Sequence, residues 1–145
     1  MKLLIQRVLE ASVDVNNETV GKINQGLLVF LGVEKDDKIE QADFLANKLL
    51  NLRIFEDDNG KMNLSVKDIK GELLIISQFT LAADTSHGNR PGFSTAEIPE
   101  KANEMYKYFN RYIEELYMKP QTGIFQAEMK VKLINDGPST FLLAK

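Results

Sequence analysis

Side chains able to run acid-base or nucleophilic chemistry are scarce in this chain of 145 residues. Cysteine is absent, which removes thiolate nucleophiles, disulfides and thiolate metal sites together. His87 is the one histidine, so a Ser-His-Asp relay would have to use it as base. It stands among Ser86, Gly88 and Asn89, the company of a solvated loop residue. The acidic run Glu56-Asp57-Asp58-Asn59-Gly60 misses calcium-loop spacing, because Phe55 occupies the place of the first ligand; it reads as a turn. No G-x-S-x-G elbow, P-loop or dinucleotide fingerprint is present. Two segments remain: Ser77-Gln78-Phe79-Thr80, at the end of an apolar run, and Asn135-Asp136-Gly137-Pro138. The Thr80 hydroxyl is the nucleophile candidate of the first, with no base to activate it. Read on their own, the first is strand interior and the second a trans-proline turn, since only about 5–6% of X-Pro bonds are cis in folded proteins.

These segments must be held by the elements around them. Leu3–Val8 alternates as a strand. Ser12–Val15 and Thr19–Ile23 flank the turn signal Asn16-Asn17 and form a hairpin. Gly26–Val33 is a continuous apolar run suited to a strand covered on both faces. Asp37 with Glu40 has capping-box spacing, and Ile39, Ala42, Leu45, Ala46, Leu49 and Leu50 recur at helical spacing behind it. Arg53–Phe55 is short and extended. Glu72–Leu81 carries the strongest strand signal. The polar stretch from Ala83 to Ile98 is a loop, long enough to suggest function. Pro99 opens a second helix with Ala102, Met105, Tyr106, Phe109, Ile113, Leu116 and Tyr117 on its apolar stripe, and Pro120 stops it. Glu128–Asn135 alternates with Met129, Val131 and Leu133 on one face; Gly137-Pro138 turns the chain, and Thr140–Leu143 is a last strand. The expectation is an α+β fold, one compact domain over 1–145, largely antiparallel or mixed sheet closing like a barrel, with two main helices.

Composition narrows the class. The chain is 43% hydrophobic and 27% charged, ordinary for a globular protein, and no stretch approaches the roughly 20 apolar residues of a membrane span. A cytoplasmic address is the default. The net charge of −3 argues against nucleic-acid binding through a global field, so any RNA contact needs a local basic patch. Arg90, Lys130 and Lys132 are the candidates for phosphate contact, a solvated polar face being the other reading.

SQFTLAADT and NDGPST, in that order, resemble the two signature motifs of the D-aminoacyl-tRNA deacylase family, SQFTL and N-x-G-P-x-T. IQRVLEASVDV, GLLVFLGV, LANKLLNLRIFEDDNGKMN, HGNRPGF and TGIFQAEMKVKLINDGP look like the same family, so the whole chain is covered. Ser139 is a departure, since members commonly carry Val or another apolar residue there. The resemblance implies hydrolysis of the ester in D-aminoacyl-tRNA, with glycyl-tRNA tolerated, no cofactor, and Ser77, Gln78, Phe79 and Thr80 at the catalytic site. An aminoacyl ester is already reactive, so the main need is an oxyanion site, where one donor is worth about 3–4 kcal/mol. The resemblance assigns that role to the N–H groups of Gln78 and Phe79. Thr80 is then structural or water-positioning, and the RNA's own 2′-hydroxyl assists. The resemblance also implies a cis bond at Gly137-Pro138. Two parallel carbonyls there would clamp the ammonium of a D-amino acid and clash with the Cβ of an L-amino acid. This turn would reach into the partner's site in a homodimer, with Asn135, Met129 and Arg7 in support; Met129 is otherwise a plain core residue. The alternatives are a non-catalytic tRNA- or RNA-binding module on the same scaffold, and a serine esterase hampered by its lone histidine.

Overall fold

A computed structural model describes Met1–Lys145. Its frame is β1 (Lys2–Val15), a 14-residue strand joining the two segments that read as separate strands around Leu9-Glu10. Length lets β1 use both edges. One edge takes β3 (Gly26–Gly32) along its first half and β2 (Glu18–Ile23) along its second. The other edge takes β8 (Lys130–Ala144) along nearly all of it. Asn16 and Asn17 turn β1 into β2 with φ of 51° and 66°, the left-handed pair that tight hairpins favour and that Asn tolerates. β6 (Glu72–Ser77) lies parallel to β3, and β7 (Gln121–Thr122) parallel to β6. The order is β2-β1-β3-β6-β7 with β8 against β1. β2 curls over to approach β7, where a Cβ at Gly21 would stand 2.8 Å from the Thr122 carbonyl. Absence of a side chain there permits the sheet to close nearly into a barrel. A separate hairpin pairs β4 (Phe55–Glu56) with β5 (Met62–Leu64).

Parallel pairing requires crossovers, which the helices α1 (Ile39–Asn51) and α2 (Pro99–Leu116) supply. They cover the outside of the sheet, burying Ala42, Leu45, Leu49, Phe109 and Ile113 against Leu3, Ile5, Leu27, Val29 and Ile75. Val8, Ala11, Val13, Leu28, Leu74 and Ile76 fill the inside, with Met129, Val131 and Leu133 packed against them. β3 therefore faces apolar neighbours on both sides, as its uninterrupted apolar run requires. Pro99 sits at the first turn of α2 as expected. The start of α1 shifts by one residue. Lys38 is the N-cap, and its N–H donates to Gln41 Oε1 at 2.6 Å. Asp37 is withdrawn from capping because its carboxylate accepts from the Met1 ammonium at 2.6 Å and from the Glu34 N–H at 2.6 Å. Asp57 organises the acidic turn, accepting from the N–H groups of Asn59 and Lys61.

Two expectations about strands are corrected. β6 ends at Ser77 and the chain enters a 3-10 turn, Phe79–Ala82, so Phe79 to Leu81 are not strand despite their apolar character. Gly137-Pro138 does not separate two strands either. β8 runs straight through it, with Thr140 opposite Gln6 and Asn135 opposite Val8. Asp136–Ser139 is a bulge facing the single residue Arg7, because the partner strand continues on both sides and the surplus residues can only loop out.

Candidate active site

The site begins where β6 stops. Gln78 donates its N–H to the Leu31 carbonyl at 2.8 Å, the last sheet bond, and the next residues coil into the 3-10 turn. Leu81 donates to the Gln78 carbonyl at 3.2 Å and Ala83 to that of Thr80 at 3.1 Å. The N–H groups of Phe79 and Thr80 open the turn and have no acceptor within the chain, as the first donors of any helical turn do. This corrects the expected donor pair: the Gln78 N–H is engaged with Leu31, and the free neighbours are Phe79 and Thr80. Gly32 lies directly behind the turn. A Cβ there would be 2.8 Å from Leu81 Cβ and 3.1 Å from the Gln78 carbonyl oxygen, so glycine lets β3 seat the turn closely.

Beside the turn opens a chamber of about 550 Å³. Ser77, Gln78 and Phe79 form one wall with Leu31, Val33 and Ile76; Pro99, Ala102 and Tyr106 of α2 form the opposite wall. Phe125, Gln126 and Ala127 close it, with Met129 and Val131 of β8. Glu97 is its only carboxylate, and no imidazole, lysine or arginine lines it. Tyr106 donates its hydroxyl to the Ile75 carbonyl at 2.6 Å, and burial pushes that phenol up to about 12. It is thus a fixed neutral donor at neutral pH and packs against Phe125, ring centroids 6.1 Å apart. Sequence reading missed Glu97 and the Phe125–Ala127 segment. Tyr106 was visible only as part of a helical stripe, and nothing local marks Gln126, whose φ of 62° is a left-handed value uncommon outside glycine.

Thr80 is exposed and lies outside the chamber lining. Its hydroxyl accepts from Gln78 Nε2 at 2.5 Å and bonds to no base. His87 is exposed in its loop without a partner, as its neighbours implied.

Asn135, Gly137, Pro138 and Arg7 make a second group at the bulge. The Gly137-Pro138 peptide is cis. Asn135 spans the base: Oδ1 accepts from the Ser139 N–H at 2.7 Å, and Nδ2 donates to the Ser139 carbonyl at 3.1 Å. Arg7, 5% exposed, donates Nε to the Asp136 carbonyl at 3.0 Å and Nη1 to the Ile54 carbonyl at 2.6 Å, and pairs with the Asp136 carboxylate at 3.3 Å. These bonds tie Arg7 to the bulge of its own chain. Ser139 is buried under Gly137, where a Cβ would meet its Oγ at 2.6 Å; a small polar residue fits the bulge interior. Gly137 (φ 146°) and Pro138 form the exposed tip, and none of this group lines the chamber of the same chain.

The basic candidates do not converge on the site. Lys130 and Lys132 project from the face of β8 opposite Met129 and Val131, and Lys132 is paired with Asp14 at 2.7 Å. Arg90 is exposed in the loop and unpaired.

The sequence matches the profile of D-Tyr-tRNA(Tyr) deacylase over residues 4–144. It is 62% identical over 143 residues to a D-aminoacyl-tRNA deacylase of Geotalea daltonii, covering 99% of this chain and 95% of that one. It is 59% identical to that of Haemophilus influenzae (strain Rd), covering 99% of each. Among solved structures, a c-Myc DNA unwinding element binding protein superposes with a TM-score of 0.96 at 38% identity, covering 100% of this chain and 99% of the other. A probable eukaryotic D-amino acid tRNA deacylase shares the fold at TM-score 0.82 and 15% identity, covering 98% of this chain and 97% of that one.

Proposed function

The chain belongs to the D-Tyr-tRNA(Tyr) deacylase family, and on that premise we propose that its chamber hydrolyses D-aminoacyl-tRNA with backbone donors and the substrate's own hydroxyl. The reaction is cleavage of the aminoacyl ester, releasing free tRNA and a D-amino acid as proofreading in translation. The carrying observation is the unpaired Phe79 N–H at the wall of a chamber whose only carboxylate belongs to Glu97. Water adds to the ester carbon, and the developing oxyanion is held by the N–H of Phe79 at the chamber wall, a role a backbone donor performs without reorganising. The ester C–O bond then breaks, and the leaving ribose oxygen takes a proton. The neighbouring 2′-hydroxyl relays that proton from the attacking water, which dispenses with a protein base. Thr80 serves to fix the Gln78 amide.

Chirality is read by the Gly137-Pro138 tip of a second copy. Support comes from its exposure and from its absence from its own chain's chamber. β8 also leaves one edge unpaired, with Ile134 and Leu142 exposed, a surface that invites another strand or chain. A tip built of main chain rejects an L-Cβ whatever the side chain, so many D-amino acids and achiral glycine are accepted. The reading makes 1–145 one deacylase domain acting as a homodimer in the cytoplasm, without a cofactor. No helix is long and apolar enough to cross a membrane. A binding module without turnover is not favoured, given relatives named as deacylases at this identity.

The test is paired hydrolysis of D-Tyr-tRNA and L-Tyr-tRNA. Release of D-tyrosine with the L-ester nearly intact is expected, and equal cleavage of both overturns the stereochemical reading. A tRNA ending in 2′-deoxyadenosine should be cut far more slowly; an unchanged rate would refute assistance by the RNA.

A further inference from the structure

We propose that the exposed rings of Phe79 and Phe93 form a stacking platform for the nucleobase that precedes the terminal adenosine of the tRNA substrate. The proposal rests on the reading of the chain as a D-aminoacyl-tRNA hydrolase and extends its site outward. The two rings lie 5.0 Å apart between centroids, tilted by 54°, and are 59% and 41% exposed. Large aromatic surface left in water at the lip of a site calls for an occupant. The chemistry of the substrate supplies one. A chamber of about 550 Å³ has the size of a pocket for one small molecule, here the aminoacyl group and the terminal nucleoside. The preceding nucleotide must then lie outside, along the lip.

That lip is set by Phe79 itself. Its N–H is free at the chamber wall, while its ring is largely exposed and packs on Phe93, so one residue belongs to both site and platform. Phe93 is no floppy loop side chain. Gly92, just before it, exchanges two hydrogen bonds with Asp84 at 2.8 and 2.9 Å, and the Thr95 hydroxyl is bonded to the Ala82 carbonyl at the end of the 3-10 turn. The loop thus holds Phe93 against Phe79 without covering either. Arg90, three residues earlier in the same exposed loop, is the basic residue nearest Phe93 along the chain. Single-stranded RNA ends are bound in this way, by unstacked bases on aromatic faces beside a basic group.

The experiment compares wild type with Phe93→Ala, Phe93→Leu and Phe93→Trp on three substrates. They are D-Tyr-tRNA, the D-tyrosyl ester of adenosine, and D-Tyr-tRNA abasic at the position before the terminal adenosine. Stacking is worth enough per base that Phe93→Ala and Phe93→Leu should lose about tenfold in kcat/KM on D-Tyr-tRNA, chiefly through KM. Phe93→Trp should retain activity. All variants should cut the adenosine ester as wild type does, and the abasic tRNA should cost wild type the same factor and the Phe93→Ala enzyme nothing more. Equal losses on tRNA and nucleoside ester would overturn the platform in favour of a role in shaping the chamber. A Phe93→Ala protein that becomes monomeric by light scattering would assign the rings to contact with a second copy, and full activity on tRNA would assign them no role. Failure of wild type on every D-substrate would instead overturn the hydrolase reading, and the platform with it.

Discussion

A hydroxyl becomes a nucleophile only when something takes its proton. Thr80 accepts from the Gln78 amide and touches no base, so Thr80→Val should keep D-Tyr-tRNA hydrolysis within about tenfold, whereas removal of a true nucleophile costs several orders of magnitude; kcat under single-turnover conditions decides between them. Glu34 gives the sign of the acid response. Its partial burial alone would raise the carboxyl, but hydrogen bonds from Lys2 and the N-terminal ammonium outweigh that and hold it below its ordinary 4.5. A depressed folded value means stability is fully present above 4.5 and is lost as pH falls through the folded value. Melting temperature should therefore be flat near neutrality and drop in acid below that point. Glu34→Gln should lower the plateau slightly and shrink the drop; an unchanged acid limb would refute the assignment.

At the scale of elements, the bulge in β8 is the feature to perturb. Its surplus residues face one arginine, whose guanidinium holds Asp136 and reaches the Ile54 carbonyl. Arg7→Met keeps the apolar stem and removes every donor, leaving buried carbonyls unpaired, at a cost of roughly 1–3 kcal/mol each. The expected result is a lower denaturation midpoint together with weaker discrimination between D- and L-Tyr-tRNA. Lost stability with intact discrimination would show that the bulge tip does not depend on this anchor. Much of this layer was legible in sequence. The apolar repeats placed both helices, the Asn pair placed the hairpin, and Pro99 placed the start of α2. The end of β6 was not legible, because Phe79 and Leu81 satisfy a strand pattern and leave it only when Gln78 makes its bond to Leu31 and Gly32 makes room behind the turn. The bulge was hidden for a similar reason: Gly-Pro reads as a reversal unless a long partner strand is known to continue past it.

At the scale of the whole molecule, a site whose chamber and chirality filter belong to different copies can be tested by mixing. Gly137→Ala forces a Cβ into a left-handed position beneath which Ser139 N lies at 2.7 Å, so it damages the tip. Ala127→Trp fills the chamber. Each homodimer should be inactive. In a heterodimer one site would combine the intact chamber of the first variant with the intact tip of the second, so refolded mixtures should recover about a quarter of wild-type turnover by the statistics of pairing. Mixtures as inactive as their parents would place tip and chamber in one copy.

Local chemistry settled what could be read without a fold. The chain has no thiol, a single solvated histidine, two helices at 3.6-residue spacing, and two short motifs in a fixed order. These are properties of residue type and periodicity, which neighbours along the chain decide. Tertiary structure alone decided which N–H groups remain free, that Arg7 answers to the bulge, and that Phe125 to Ala127 meet α2 to close a chamber. Those outcomes depend on segments distant along the chain, Gln78 meeting Leu31 and Arg7 meeting Asp136, where a backbone donor is free or bound according to its partner strand and not its own side chain.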